Sequence, residues 1–203
     1  MLNGIDISHH NIDQIRRGTL TISAPDFVIM KATEGKTYRD PRMDEYLQLM
    51  DLDRQLLGFY HYARPEINNP VAEALNFLDR VGSYAGRAMF ALDVEGKSFQ
   101  LEKAPLSGWV LTWLKTVENE TGVKPLVYTG SEGLQKIGQA ILANDTGLWF
   151  ARYRQRLNKE MYAPYPFWAI WQFTEKPWDC DKFNGDRIAW AKYIKKEVNH
   201  GPV

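Results

Sequence analysis

Cysteine is nearly missing from this chain of 203 residues: Cys180 stands alone, which excludes an intrachain disulfide. Its neighbours Asp179 and Asp181 disfavour a thiolate, so no cysteine nucleophile is expected. An excess of one charge is lacking too. The 25 basic and 25 acidic side chains cancel, leaving no general basic field for nucleic acid or an anionic membrane. No apolar run approaches the roughly 20 residues that span a bilayer. The opening MLNGIDISHH has neither the basic nor the apolar region of a secretory signal. Low-complexity tracts, internal repeats and Pro/Ser-rich linkers are absent, so residues 1–203 read as one domain, expected to be a monomer. Also wanting are a G-x-S-x-G elbow, a P-loop, a dinucleotide fingerprint and an HExxH pair. His9 and His10 are adjacent, and neighbours on a strand point apart. No metal and no cofactor is therefore expected, and hydrolysis by carboxylates is the chemistry left.

What the chain has in plenty is aromatic rings: 7 Trp, 10 Tyr and 9 Phe. They suit either a large core or a carbohydrate cleft, where flat rings cover the apolar faces of sugars. Short β-branched or aromatic runs recur at Gly4–Ile7, Phe27–Lys31, Leu57–Tyr62, Ala88–Val94, Leu126–Thr129, Leu148–Tyr153 and Trp168–Phe173. Their nearly continuous apolar character predicts strands covered on both faces, as in a parallel sheet. Between them, Asp40-Pro41 and Asn69-Pro70 each offer an N-cap with proline at the first helical position. Further helices are predicted over Leu106–Thr121, stopped by Gly122, and over Ser131–Leu142 and Arg187–Glu197. Strand and helix in alternation predict an α/β fold, an irregular (β/α) TIM-like barrel with fewer than eight helices.

In a parallel barrel the carboxyl ends of the strands surround the active site. Those ends carry Asp6, then Lys31 and Glu34, then Tyr60 and Tyr62, then Asp93 and Glu95, then Tyr128, Trp149, Tyr153 and Gln172, with Asp179 and Asp181 close behind. Asp93 and Glu95 matter most. Two residues apart on a strand, they share one face at about 7 Å, and one negative charge raises the pKa of the other. Glu95 has the longer side chain and is expected to hold the shared proton as general acid, with Asp93 ionised beside it. A D-x-E alone is common on solvated surfaces, where Lys97 or Arg87 would pair with it. Here it ends a hydrophobic strand, where carboxylates are expensive to desolvate. For Asp6 the competing reading is a cap for the turn at Ser8. For Asp179 and Asp181 it is an Asx-turn between Trp178 and Phe183.

The stretches GIDISHHN, FVIMKATEGKTYRDP, LLGFYHYARP, FALDVEG, KPLVYTG, LWFARY, WAIWQFT and WDCDKFNG resemble the glycoside hydrolase family 25 lysozymes, in the family's order and over nearly the whole chain. The resemblance implies a muramidase that hydrolyses the β-1,4 bond from N-acetylmuramic acid to N-acetylglucosamine in peptidoglycan, acting at the cell wall. It makes Glu95 the catalytic acid and Asp93 its partner, and matches Asp6 to the aspartate of the opening motif. Asp179 matches the aspartate of a closing V-D-x-N motif. Tyr60, Tyr62, Tyr128, Trp149, Tyr153 and Gln172 fall on positions that look like sugar contacts. The chain departs from the pattern at Trp178, where a small aliphatic is usual, at Asp181, where asparagine is common, and at His10, where an aromatic such as Trp is frequent.

Two routes remain open. The substrate's 2-acetamido group could attack its own anomeric carbon with Asp93 orienting it, which the two-residue spacing favours. Alternatively, water attacks directly with Asp6 or Asp179 as base. The non-enzymatic alternative is a barrel that only binds wall glycan; an enzyme for chitin-like polymers is a third.

Overall fold

In the computed structural model, which describes residues 1–195, nine strands form one sheet. They are β1 (Leu2–Ile7), β2 (Phe27–Glu34), β3 (Tyr38–Arg39), β4 (Leu56–Tyr62), β5 (Ala88–Asp93), β6 (Leu126–Thr129), β7 (Leu148–Ala151), β8 (Ile170–Thr174) and β9 (Cys180–Phe183). The order β1-β9-β8-β7-β6-β5-β4-β2 closes through pairing of β1 with β2, and β3 hangs on the outside of β2. Within the closed ring neighbours run parallel except at β9, which is antiparallel to both β8 and β1; β3 is antiparallel to β2. The result is a closed, mixed eight-stranded barrel with six α-helices among the described residues: α1 (Ile12–Arg16), α2 (Met43–Leu49), α3 (Pro70–Val81), α4 (Lys103–Thr121), α5 (Ser131–Ala143) and α6 (Arg187–Ile194). The irregular TIM-like barrel is thus observed. Of the predicted Arg187–Glu197 helix, Lys196 and Glu197 lie outside the described residues.

Alternation along each strand builds two cores. Phe27, Ile29, Met89, Ala91, Leu126, Tyr128, Trp149 and Phe183 fill the barrel. Val28, Met30, Phe59, Phe90, Leu92, Val127 and Phe150 face the helices. Both faces being buried is why the strands read as continuous apolar runs. Inside the barrel the Phe27 ring lies across Gly4, where an added Cβ would sit 2.2 Å from it. Trp190 of α6 closes the end away from the strands' carboxyl termini, its ring 5.0 Å from Phe27 and 5.1 Å from Phe183.

The helix signals act as local chemistry requires, with one exception. Asn69 Oδ1 accepts from Val71 N at 2.9 Å, with Pro70 opening α3. Gly122, at φ 70°, ends α4 in the left-handed region. Asp40, by contrast, does not cap α2, whose N-cap is Arg42. Its carboxylate instead accepts from the backbone and ring of His9, and from Arg42 N. The pair His9-His10 also corrects expectation. It lies on a 3-10 turn rather than a strand, and its rings are tilted by 39° with centroids 3.9 Å apart.

Candidate active site

At the carboxyl end of the barrel, β5 stops at Asp93, but the chain stays extended through Glu95 (φ −151°, ψ −178°). Val94 between them is buried toward the helices; its N–H donates to Tyr128 O at 3.0 Å and its C=O accepts from Thr129 Oγ1 at 2.8 Å. Asp93 and Glu95 therefore share the inward face. Gly96 then turns the chain at φ +54°, in a spot where a Cβ would press on the Tyr62 hydroxyl. Asp93 is 6% exposed, and its Oδ1 has no hydrogen-bond partner. No ion pair to Lys97 or Arg87 accounts for the two carboxyls; Arg87 donates to Ser83 O instead.

Burial, and then the charge of Glu95, push the Asp93 carboxyl well above the usual carboxylate range, against the pull of Lys31. Burial, and then Asp179, raise Glu95, again opposed by Lys31. Desolvation is the first cause at both carboxyls and acts more strongly on the shorter, deeper Asp93, so burial raises Asp93 as well as Glu95.

Lys31, on β2, is the cation bearing on both. Its Nζ donates to Glu34 Oε2 at 2.7 Å and lies 4.8 Å from the centroid of the Tyr62 ring. Glu34 Oε1 accepts from Arg64 at 3.0 Å. Burial alone would raise Glu34, but the Lys31 ammonium and the Arg64 guanidinium outweigh it and hold its pKa low. Behind Arg64 lies a network that sequence reasoning missed. Arg64 N donates to Glu73 Oε2 (3.1 Å), which also meets His61 Nε2 (2.8 Å), while His61 Nδ1 meets Thr33 Oγ1 (2.7 Å). A register shift in β2 between Lys31 and Thr33 allows Lys31 to point into the barrel and Thr33 outward.

The floor is made of Asp6, Gln172, Trp149 and Asp181. Gln172 Nε2 donates to Asp6 Oδ2 at 2.7 Å, and Gln172 Oε1 accepts from Tyr128 (2.8 Å) and Tyr153 (3.2 Å). Trp149 Nε1 donates to Asp181 Oδ1 at 2.8 Å. Asp6 does not cap the turn after it; Ser8 does that with Asn11. Asp181 belongs to β9 rather than to an Asx-turn, and Asp179 precedes that strand. Burial, and then Glu175, push Asp179 up to about 6. The predicted residues thus gather at one mouth, at two depths. Trp149, at 2% exposure, and Gln172, at 3%, underlie the cleft and present little surface. Tyr60 and Tyr62 are partly open, and Tyr153, at 47%, is exposed. β9 was missed in the sequence, although the alternation of C-D-K-F, in which Asp181 and Phe183 are the buried residues, was its signal.

Comparison with known proteins agrees with this arrangement. The model of the family "Glycosyl hydrolases family 25" matches residues 5–181. YegX of Escherichia coli K12, an uncharacterized protein, is 32% identical over 197 residues, covering 91% of this chain and 70% of YegX. An N,O-diacetylmuramidase from Chalaropsis sp is 27% identical over 86% of this chain and 88% of its own. The solved muramidase from Trichobolus zukalii superposes with a TM-score of 0.81 at 26% identity, covering 96% of this chain and 99% of that one. With its carboxylates at the mouth of a closed mixed barrel, and the family pattern running through nearly all its strands, the chain belongs to glycosyl hydrolase family 25 and is a glycoside hydrolase of the lysozyme type.

Proposed function

We propose that the protein is a muramidase that cleaves the β-1,4 bond between N-acetylmuramic acid and N-acetylglucosamine in peptidoglycan, with Glu95 as general acid and Asp93 orienting the substrate's acetamido group. The observation that carries this reading is the inward-facing pair itself. Glu95 is half-buried and raised in pKa, so it holds a proton to give to the leaving oxygen. Asp93 has a buried oxygen without a donor, and an acetamido N–H is the donor it lacks. That hydrogen bond favours the ionised form of Asp93, supplying the charge that burial withholds in the free protein. The acetamido oxygen is then held for attack on the anomeric carbon while Glu95 protonates the bridge. Tyr60, Tyr62 and Tyr153 offer ring surface to the sugars, while Lys31 and Glu34 offer polar contacts. The cleft is complete within one chain, which supports a monomer, and the substrate puts its action at the cell wall.

Two measurements test the reading. Turnover of intact wall should exceed that of chitin oligomers; the reverse order would move the substrate to chitin-like polymers. NMR of the first-formed product should show the β-anomer, and an α-anomer would exclude the assisted route in favour of direct attack by water.

A further inference from the structure

The floor of the cleft holds a carboxyl pair to which the assisted step assigns no covalent or acid–base role. Asp181 is fully buried, at 0% exposure. Its Oδ1 accepts from Trp149 Nε1 at 2.8 Å, while its Oδ2 is buried with no such donor. What Asp181 does face is Asp6: across β9 it pairs with Gly4 on β1 and Gln172 on β8, Gln172 bonds Asp6, and each carboxyl acts on the other. Asp6 Oδ2 already accepts from Gln172 Nε2 at 2.7 Å. The Gln172 carbonyl is occupied by the Tyr128 and Tyr153 hydroxyls, which fixes the amide with its NH2 toward Asp6. Donors therefore run in one direction, from the tyrosines through Gln172 to Asp6. Two ionised carboxylates have acceptors only, so their contact is repulsive unless one carries a proton. A proton held between Asp6 and Asp181 supplies the donor that the buried Asp181 Oδ2 lacks.

We propose that Asp181 is a positioning residue that shares a single proton with Asp6, so that Asp6 stands in the cleft as a neutral carboxylic acid and the pair carries one negative charge rather than two. The neighbours oppose a second charge. Asp179, before β9, bears on both carboxyls, and Tyr60 on β4 and Tyr128 on β6 feel Asp6. Burial first, and then the charges of Asp181 and Asp179, push Asp6 well above the ordinary range; burial pushes Asp181 up to about 7. One consequence rests on the muramidase reading: a protonated Asp6 is no general base, so any direct attack by water would fall to Asp179. The sharing of the proton does not depend on that reading.

The test is a pH titration of the Asp6 and Asp181 Cγ resonances by carbon-13 NMR, in the intact wild-type protein and in Asp181→Asn, with the pH profile of kcat/KM on peptidoglycan alongside. In wild type the two resonances should move together in two separate steps, the upper one well above the ordinary carboxylate range. In Asp181→Asn the upper step should vanish, Asp6 should titrate once, and kcat/KM should lose one ionisation. Independent ionisation of both wild-type carboxyls near about 3.9 would overturn the pairing, and a kcat/KM profile unchanged in the variant would overturn the positioning role. If the variant does not fold, the wild-type titration decides alone. A protein that pairs these carboxyls without cleaving wall would refute the proposed function and leave the pairing standing.

Discussion

Single side chains at the mouth tune one another through charge. Glu95 acts as an acid only while protonated, so activity should fall as pH rises through its elevated pKa. After burial, Asp179 is the next cause of that elevation. Asp179→Asn removes the like charge, lowers the pKa of Glu95, and should move the alkaline limb of the kcat/KM profile to lower pH. An unmoved limb would mean that another group sets it. At this scale the sequence was informative about position and less so about state. Alternation past the end of a hydrophobic strand was enough to put Asp93 and Glu95 on one face. Depth was not legible, because it depends on what the neighbouring strands place above and below. Hence the depth of Asp93 went unread, as did the bonds that tie Trp149 and Gln172 into the floor.

Elements show where local signals suffice and where tertiary contacts override them. Asn69-Pro70 and Gly122 act through backbone chemistry that needs no partner, and both bound their helices where the sequence indicates. Asp40-Pro41 has the same local form, but His9 approaches from 31 positions away and engages the carboxylate. β9 went unread because it is short, lies among aspartates, and runs against an otherwise parallel pattern. The inward packing gives direct tests. Gly4→Ala should drive a methyl group into the Phe27 ring and cost about 1–3 kcal/mol, read as a lowered denaturation midpoint. Trp190→Ala empties the closed end of the barrel, where the ring is 1% exposed, and should cost about 3–5 kcal/mol. A smaller loss would mean that α6 is not needed to seal that end.

For the molecule as a whole, the cleft is a stability liability held in place by the rest of the barrel. A carboxyl whose pKa is raised on folding favours the folded state while protonated. That stability is fully present below the unfolded value near about 3.9 and declines as pH rises through the folded value, which is about 6 for Asp179 and about 7 for Asp181. Asp93→Asn removes one such buried charge. The variant should therefore melt higher than wild type, with a larger gain at pH about 8 than at pH about 5, at roughly 2–4 °C per kcal/mol recovered, while activity falls about 100-fold or more. Equal gains at both pH values would show that Asp93 is not the residue that charges. The most direct measurement is of the reaction itself. Wild-type protein and Glu95→Gln are incubated with intact peptidoglycan, and the soluble products are reduced with borohydride and identified by mass spectrometry. Muropeptides with reduced muramic acid ends from wild type, and none from the variant, are the predicted result. Wall binding by both proteins without release from either would mean that the barrel recognises glycan and does not cut it.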